Sequence, residues 1–333
     1  MTKLSVLDLC PINEGSTASD ALANSADLAL HAEQWGYERF WLAEHHNMPG
    51  IGSAATAVVI GHVAAATSRI RVGAGGVMLP NHAPLVIAEQ FGTLDALFPG
   101  RIDLGLGRAP GTDQNTMRAL RRSFDQQVDR FPDDVLELQR YLGGDANALP
   151  RGNDIYATPG AGSQVPLWIL GSSLYGAQLA ARLGLPYAFA SHFAPQMLDQ
   201  AIAVYRSQFQ PSAQLDKPYV MLGYNICGSD TDEAARYLAS SGAQMLRNLR
   251  LGRPTKLPPP VDHFEASLQP TERAMLDATR ACSAIGSKDT MRSAMHAFIE
   301  RTEADELMLA AHIYDHDARL RSYEMAAEVC GVE

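Results

Sequence analysis

Three things are scarce in this 333-residue chain: cysteine at paired spacing, basic runs, and long apolar runs. The four cysteines, Cys10, Cys227, Cys282 and Cys330, stand far apart and form no C-x-x-C or zinc spacing. Nothing therefore suggests a disulfide framework, and free thiols in a reducing compartment are expected. No basic run stands out against a net charge of −10, which argues against nucleic acid and anionic membrane as partners. No stretch of about 18 apolar residues occurs, so no membrane span is expected. Met1-Thr2-Lys3-Leu4 leads into a strand-like segment without the charged and apolar regions of a leader peptide. A cytoplasmic protein is the expectation. The dinucleotide fingerprint is missing too. The nearest candidate, Gly105-Leu106-Gly107-Arg108-Ala109-Pro110-Gly111, has the spacing G-x-G-x-x-x-G and does not open a helix directly.

What is present is ample core material, 46% hydrophobic residues, arranged as short apolar segments alternating with helical ones. Eight strands are predicted: Leu4–Cys10, Tyr37–Leu42, Arg69–Met78, Arg101–Leu106, Val165–Leu170, Tyr187–Ala190, Tyr219–Cys227 and Leu307–Ala311. Ser19 is the expected N-cap of the first helix, whose Leu22, Ala26, Leu30 and Trp35 fall at helical spacing. Eight parallel strands separated by helices suit an α/β fold, a closed (β/α)8 TIM barrel, with a doubly wound open sheet as its rival. Insertions are expected after strand four, from Gly111 to about Tyr156, and after strand seven. The latter, residues 228–287, carries Pro258-Pro259-Pro260 and reads as a lid over the C-terminal face. No linker, repeat or low-complexity tract is evident, so residues 1–333 are expected to form one elaborated domain.

The chemistry concentrates where strands should end. Trp41-Leu42-Ala43-Glu44-His45-His46 places three ionisable side chains in a row after the second strand. In parallel α/β folds that end carries the active site. On an extended segment His45 and His46 point to opposite faces, so only one should face a pocket. Three glycines in the third strand, Gly73, Gly75 and Gly76, mark a bulge, a close approach by a ligand, or tight helix–sheet packing. Arg108 follows the fourth strand and suits either a phosphate or a structural ion pair. Gly171-Ser172-Ser173-Leu174-Tyr175-Gly176 opens a helix after the fifth strand, as an anion site or as plain N-capping. His62 and His82 read as structural, whereas His192 and His312 follow the sixth and eighth strands and stand where they can face the pocket. A metal site is not favoured.

Taken together, these residues resemble the bacterial luciferase-like family of flavin-dependent monooxygenases. The resemblance rests on Ala43–His46, the glycine-rich strand ending at Leu79-Pro80, and Asn81-His82-Ala83-Pro84. It continues through Ala88-Glu89-Gln90, Leu94-Asp95, Pro99-Gly100-Arg101, Arg108, the Gly-Ser-Ser turn and Ala180–Pro186. It implies a (β/α)8 barrel binding FMN, used as reduced FMN with O2. His45 matches the acid/base histidine, and Gly75-Gly76 the place of a cis peptide beneath the flavin. Arg108, Ser172 and Ser173 match the phosphate-binding positions. Luciferase itself has a carboxylate where Ser172 stands and a threonine where Gly176 stands, so phosphate binding here is expected to lean on serine and backbone donors. The resemblance also implies a homodimer through the helices flanking the second and third strands. With no reductase or nicotinamide fingerprint, a separate flavin reductase is expected to supply the cofactor. A deazaflavin-dependent hydride-transfer enzyme and a non-catalytic flavin-binding protein are the alternatives. The luciferase lid is not recognisable in residues 228–287, so light emission from long-chain aldehydes is not supported.

Overall fold

The computed structural model describes residues 2–109, 113–120, 130–145 and 154–331. Gly111 and parts of the expected insertion after strand four lie outside the described residues.

Strands and helices alternate, because short Val/Ile/Leu-rich segments are followed by amphipathic ones. The order is β1 (Lys3–Asp8), α1 (Ala18–Gln34), β2 (Arg39–Leu42), α2 (Thr56–Ala66), β3 (Arg71–Met78), α3 (Pro84–Leu97), β4 (Ile102–Gly107), α4 (Gln114–Ala119) and α5 (Phe131–Gly143). There follow β5 (Leu167–Gly171), α6 (Leu174–Leu183), β6 (Tyr187–Phe189), α7 (Leu198–Gln208), β7 (Val220–Gly228), α8 (Asp232–Arg250), α9 (Pro270–Arg280), β8 (Ser283–Gly286), α10 (Lys288–Thr302), β9 (Glu306–Ala310) and α11 (His316–Cys330).

All the strand pairings are parallel. β1 to β6 run side by side, β6 pairs with β7, and β9 bridges β7 and β1, so the sheet closes on itself. That closure is the expected (β/α)8 barrel and removes the open-sheet rival. The expected eighth strand is indeed the eighth stave, but a further strand precedes it. β8 lies inside the segment read as insertion, paired with the C-terminal half of β7 (Asn225–Gly228), while β9 holds Met221–Asn225. β7 is nine residues long and thus serves two partners. One cap also differs from expectation. Thr17, not Ser19, caps α1: Asp20 N donates to its hydroxyl, and its own N–H donates to the Asp20 carboxylate. That reciprocal pair satisfies two donors, which Ser19 cannot do from inside the helix.

The N-terminal end of the barrel is plugged by a buried ionic network. Arg39 donates to Asp103 and Glu306, both at 2.7 Å. Trp41 Nε1 donates to Asp103, and Tyr219 OH donates to Glu306. Trp41 and Trp168 meet edge to face above this network, with Leu7, Ala43, Met221 and Met308 around them. This layer is the floor on which the functional end rests.

Candidate active site

A cavity of about 830 Å³ opens at the C-terminal ends of the strands. Its volume is that of a site for a cofactor-sized ligand. Seven barrel strands, or the turns directly after them, contribute the residues of interest: Leu9, His45, Gly75 and Gly76, Arg108, Ser172 and Ser173, His192, and His312. The roof comes from α8 and α9, within the segment expected to be a lid.

Of the adjacent histidines, His45 lines the cavity and His46 turns to Glu44, as the alternation of an extended segment requires. His45 Nδ1 is buried without a hydrogen-bond partner among the described residues. Burial lowers the His45 pKa, Glu44 partly offsets this, and His46 adds to the lowering, so the ring is held neutral near neutral pH.

Glu44 is almost wholly buried and is the acceptor of a small network. His46 Nε2 lies 2.8 Å and His82 Nε2 2.9 Å from Oε1, and Met78 N–H donates to Oε2 at 3.0 Å. Asn81 Nδ2 donates to Oε1 at 3.2 Å. Burial by itself would raise the Glu44 pKa, but the bonds from His82, His46 and Met78 outweigh it and the carboxyl stays below its ordinary range. Ligand-capable atoms of Glu44, His46 and His82 lie within 4.8 Å of one another, a grouping the sequence reading missed. The carboxylate oxygens are already engaged by these donors, so the cluster reads as a brace behind His45.

The Gly75–Gly76 peptide bond is cis, at the position the resemblance implies. Both glycines line the cavity, and the register with β4 shifts between Gly75 and Val77. Side chains here are excluded by the barrel itself. A Cβ on Gly75 would meet Leu7 Cδ1 at 2.8 Å, and one on Gly76 would meet Gly105 O at 2.6 Å. The glycines therefore answer to close strand packing as well as to the cavity, and of the three alternatives helix–sheet packing is not what Gly75 and Gly76 meet.

Arg108 and the serine turn meet. The Arg108 guanidinium lies 4.0 Å over the Tyr175 ring and has no carboxylate partner among the described residues. Ser173 occupies the N-cap position of α6, yet its side chain makes no capping bond. The exposed hydroxyl of Ser173 thus leaves the first-turn N–H groups of α6 uncapped by its side chain, beside the equally exposed Ser172. Gly176 is buried in that first turn, where a Cβ would approach Tyr187 to 3.3 Å.

Across the cavity stand His192, after β6, and His312, after β9, both lining it. His192 Nδ1 is buried without a hydrogen-bond partner among the described residues. His62, by contrast, is exposed on α2. The roof residues Ala239, Ala243, Leu246 and Leu249 were not singled out from sequence. Their three-to-four spacing along α8 is the signal that marks one apolar face.

With that geometry in hand, the comparisons are specific. A family model described as luciferase-like monooxygenase matches residues 2–306. A luciferase-like monooxygenase of Escherichia coli K12 is 52% identical over 325 residues, covering 98% of this chain and 96% of its own. The crystal structure of apo-MsnO8 superposes with a TM-score of 0.86 at 35% identity, covering 100% of this chain and 99% of its own. The FMN complex of the oxygenating constituent of a Pseudomonas putida 3,6-diketocamphane monooxygenase superposes at 0.73 with 17% identity, covering 98% and 97%. An F420-dependent secondary alcohol dehydrogenase superposes at 0.69 with 16% identity, covering 100% and 99%. At those two identities the likeness is one of fold.

Proposed function

From the premise that the chain belongs to the luciferase-like monooxygenase family, we propose that it is the oxygenase of a two-component system. It takes reduced FMN from a separate reductase and transfers one oxygen atom of O2 to a small organic substrate. The observation that carries the cofactor reading is the pairing of an uncapped helix N-terminus at Ser173 with an arginine, Arg108, that no carboxylate neutralises among the described residues. Those donors fit a flavin phosphate.

When bound, reduced FMN supplies the two electrons that reduce O2, one oxygen entering the substrate and the other leaving as water. The chain's own groups do the rest. Arg108, Ser172, Ser173 and the first turn of α6, including Gly176, hold the phosphate. The backbone of Gly75 and Gly76 forms one side of the cavity. His45, held neutral and braced from behind by Glu44, takes or returns a proton at its ring nitrogen. The apolar roof of α8 and α9 keeps water from the reacting atoms; in this reading residues 228–287 act as the lid of a single domain.

The homodimer belongs to the same proposal. Val58 on α2 and Val86 on α3 are exposed apolar side chains on the flanking helices, and sedimentation would report a species of twice the chain mass. No helix among the described residues is long and apolar enough to cross a membrane, and the proposed location is the cytoplasm.

The test is an anaerobic titration of the purified protein with FMN and reduced FMN, with coenzyme F420 as competitor. Binding of reduced FMN, followed by oxygen consumption once a reductase and substrates are added, supports the proposal. Binding of F420 alone would move the assignment to hydride transfer. Flavin binding without oxygen consumption across a broad substrate screen would favour a non-catalytic flavin binder.

A further inference from the structure

We propose that Tyr187 of β6 is a positioning residue for the cofactor phosphate: its hydroxyl fixes the turn at the start of α6 and leaves the N–H groups of that turn free. This inference rests on the preceding one, since it takes the Arg108 end of the cavity to hold a flavin phosphate.

A helix start is ordinarily fixed by a side-chain oxygen that accepts from the first-turn N–H groups. Where an anion is to bind, such a cap competes with it, because it occupies the donors that the anion needs. Ser173 stands at the N-cap of α6 and its side chain makes no such bond. The turn is held from its carbonyl side instead. Tyr187 OH donates to Ser173 O at 3.2 Å, and Ala190 N–H donates to Gly171 O at 2.9 Å. Both bonds fall on carbonyl oxygens, which have two lone pairs each, and neither uses a first-turn N–H.

The ring of Tyr187 is seated so that its hydroxyl has little latitude. It is wholly buried and packs 5.4 Å from the ring of Tyr205 on α7, on the helix side of the sheet. A Cβ on Gly176 would meet Tyr187 Cε2 at 3.3 Å, and one on Gly171 would lie 3.6 Å from the hydroxyl. Both glycines of the turn therefore close directly on this side chain. Burial raises the Tyr187 phenol above its ordinary value, so the hydroxyl keeps its proton and remains a donor at neutral pH.

The effect reaches Arg108 through the same turn. Tyr175, the second residue of α6, carries the Arg108 guanidinium on its ring. Ser173 O, the first-turn N–H groups and the seat of the guanidinium thus belong to one short segment, and a shift of that segment displaces both halves of the anion site. Tyr187 does not itself line the cavity, so it acts through the turn and not by contact with the ligand. Tyr205 supplies the natural comparison. Its hydroxyl is on a side chain just as buried, but it donates to Leu185 O at 2.8 Å and accepts from Tyr219 N–H at 3.1 Å, beyond the C-terminal end of α6.

The experiment titrates FMN and riboflavin, which differ by the phosphate alone, into wild-type protein, Tyr187→Phe and Tyr205→Phe, followed by flavin fluorescence. Each substitution keeps the packed ring and removes one buried hydroxyl. Wild-type protein is expected to prefer FMN by at least about tenfold. In Tyr187→Phe that preference should shrink by about three- to tenfold, the worth of one hydrogen bond, with riboflavin affinity unchanged. In Tyr205→Phe the preference should stay at its wild-type value, which separates the position of the hydroxyl from the mere loss of a buried one. A preference that survives Tyr187→Phe intact, equal losses of FMN and riboflavin in that variant, or an equal fall in Tyr205→Phe would each overturn the inference while the phosphate reading stands. Equal binding of FMN and riboflavin by wild-type protein would overturn the phosphate reading and this inference with it.

Discussion

The guanidinium of Arg108 lies 4.0 Å over the ring of Tyr175. One residue follows β4 and the other belongs to the first turn of α6, so the contact joins two neighbouring loops of the barrel rim. Stacking on an aromatic face leaves the N–H edge of a guanidinium free to fork onto an anion. Replacing Arg108 with alanine should therefore weaken FMN by about 10- to 100-fold, the worth of one charge-assisted contact of roughly 1.5–3 kcal/mol. Arg108→Lys should fall between, keeping the charge but losing the fork. Fluorescence titration reads both, and an alanine variant with wild-type affinity would take the phosphate away from Arg108.

How much of this was legible in the sequence depends on the distance over which each feature is specified. His45, Arg108 and the Ser172–Ser173 turn were visible because each marks an abrupt change from an apolar strand to polar residues, and in a barrel that boundary is the functional rim. The cap at Thr17 was misassigned because Thr17 and Ser19 are chemically alike; the Asp20 three residues after Thr17 decides it. β8 escaped notice because Ser283–Gly286 is four residues long, too short to show a period, and is held by pairing with β7. The Glu44–His82 contact and the fit of His192 against Gly223 join residues 38 and 31 positions apart. Neither spacing carries a signal until β3 and β7 bring the partners together.

His45 can be separated from its brace by mutation. His45→Ala should lower turnover by about 10²–10⁴-fold, the usual worth of a general acid or base, while FMN affinity stays within a few-fold of wild type. Steady-state oxygen uptake at saturating reduced FMN and substrate is the readout. Turnover that survives the substitution would remove the proton-transfer role from this ring.

Glu44 tests the brace itself. Glu44→Gln keeps the size of the side chain but replaces a four-way acceptor with a group whose NH2 must face existing donors. His46, His82 and the Met78 N–H then compete for one oxygen. A loss of about 2–3 kcal/mol in urea unfolding is expected, together with slower turnover through a displaced His45. A variant as stable as wild type would show that the carboxylate charge is not what holds the cluster.

The opposite end of the barrel should respond in stability alone. Arg39→Ala takes from the buried Glu306 the guanidinium it pairs with, while Asp103 keeps Arg71 at 2.6 Å, a change that typically costs about 3–5 kcal/mol. Because the Trp41–Trp168 layer separates this network from the cavity, the folded variant should still bind FMN with wild-type affinity at low temperature. A matched fall in FMN affinity would show that the floor transmits strain into the site.

Acid should weaken the fold in a defined window. His192 and His312 are each pushed from 6.5 to about 4 by burial, so between those values the unfolded chain binds protons that the folded chain refuses. Stability therefore rises with pH across that window and is flat above it. At about 1.4 kcal/mol per unit, each ring withholds roughly 3 kcal/mol by the time the pH has fallen to 4. Asp8 behaves in the opposite sense. The pairing with Arg319 and the hydrogen bond from Ser25 outweigh its burial and hold its carboxyl below the ordinary range. Its contribution is present above the unfolded carboxyl value and is lost only as the pH falls through the lower, folded one. The histidine loss thus comes first on acidification. Urea midpoints measured from pH 8 to pH 4.5 should decline below about pH 6.5. His192→Gln and His312→Gln should each flatten the decline, and the double variant should flatten it most. A wild-type profile level down to pH 5 would mean that both rings take up protons in the folded protein as readily as in the unfolded one.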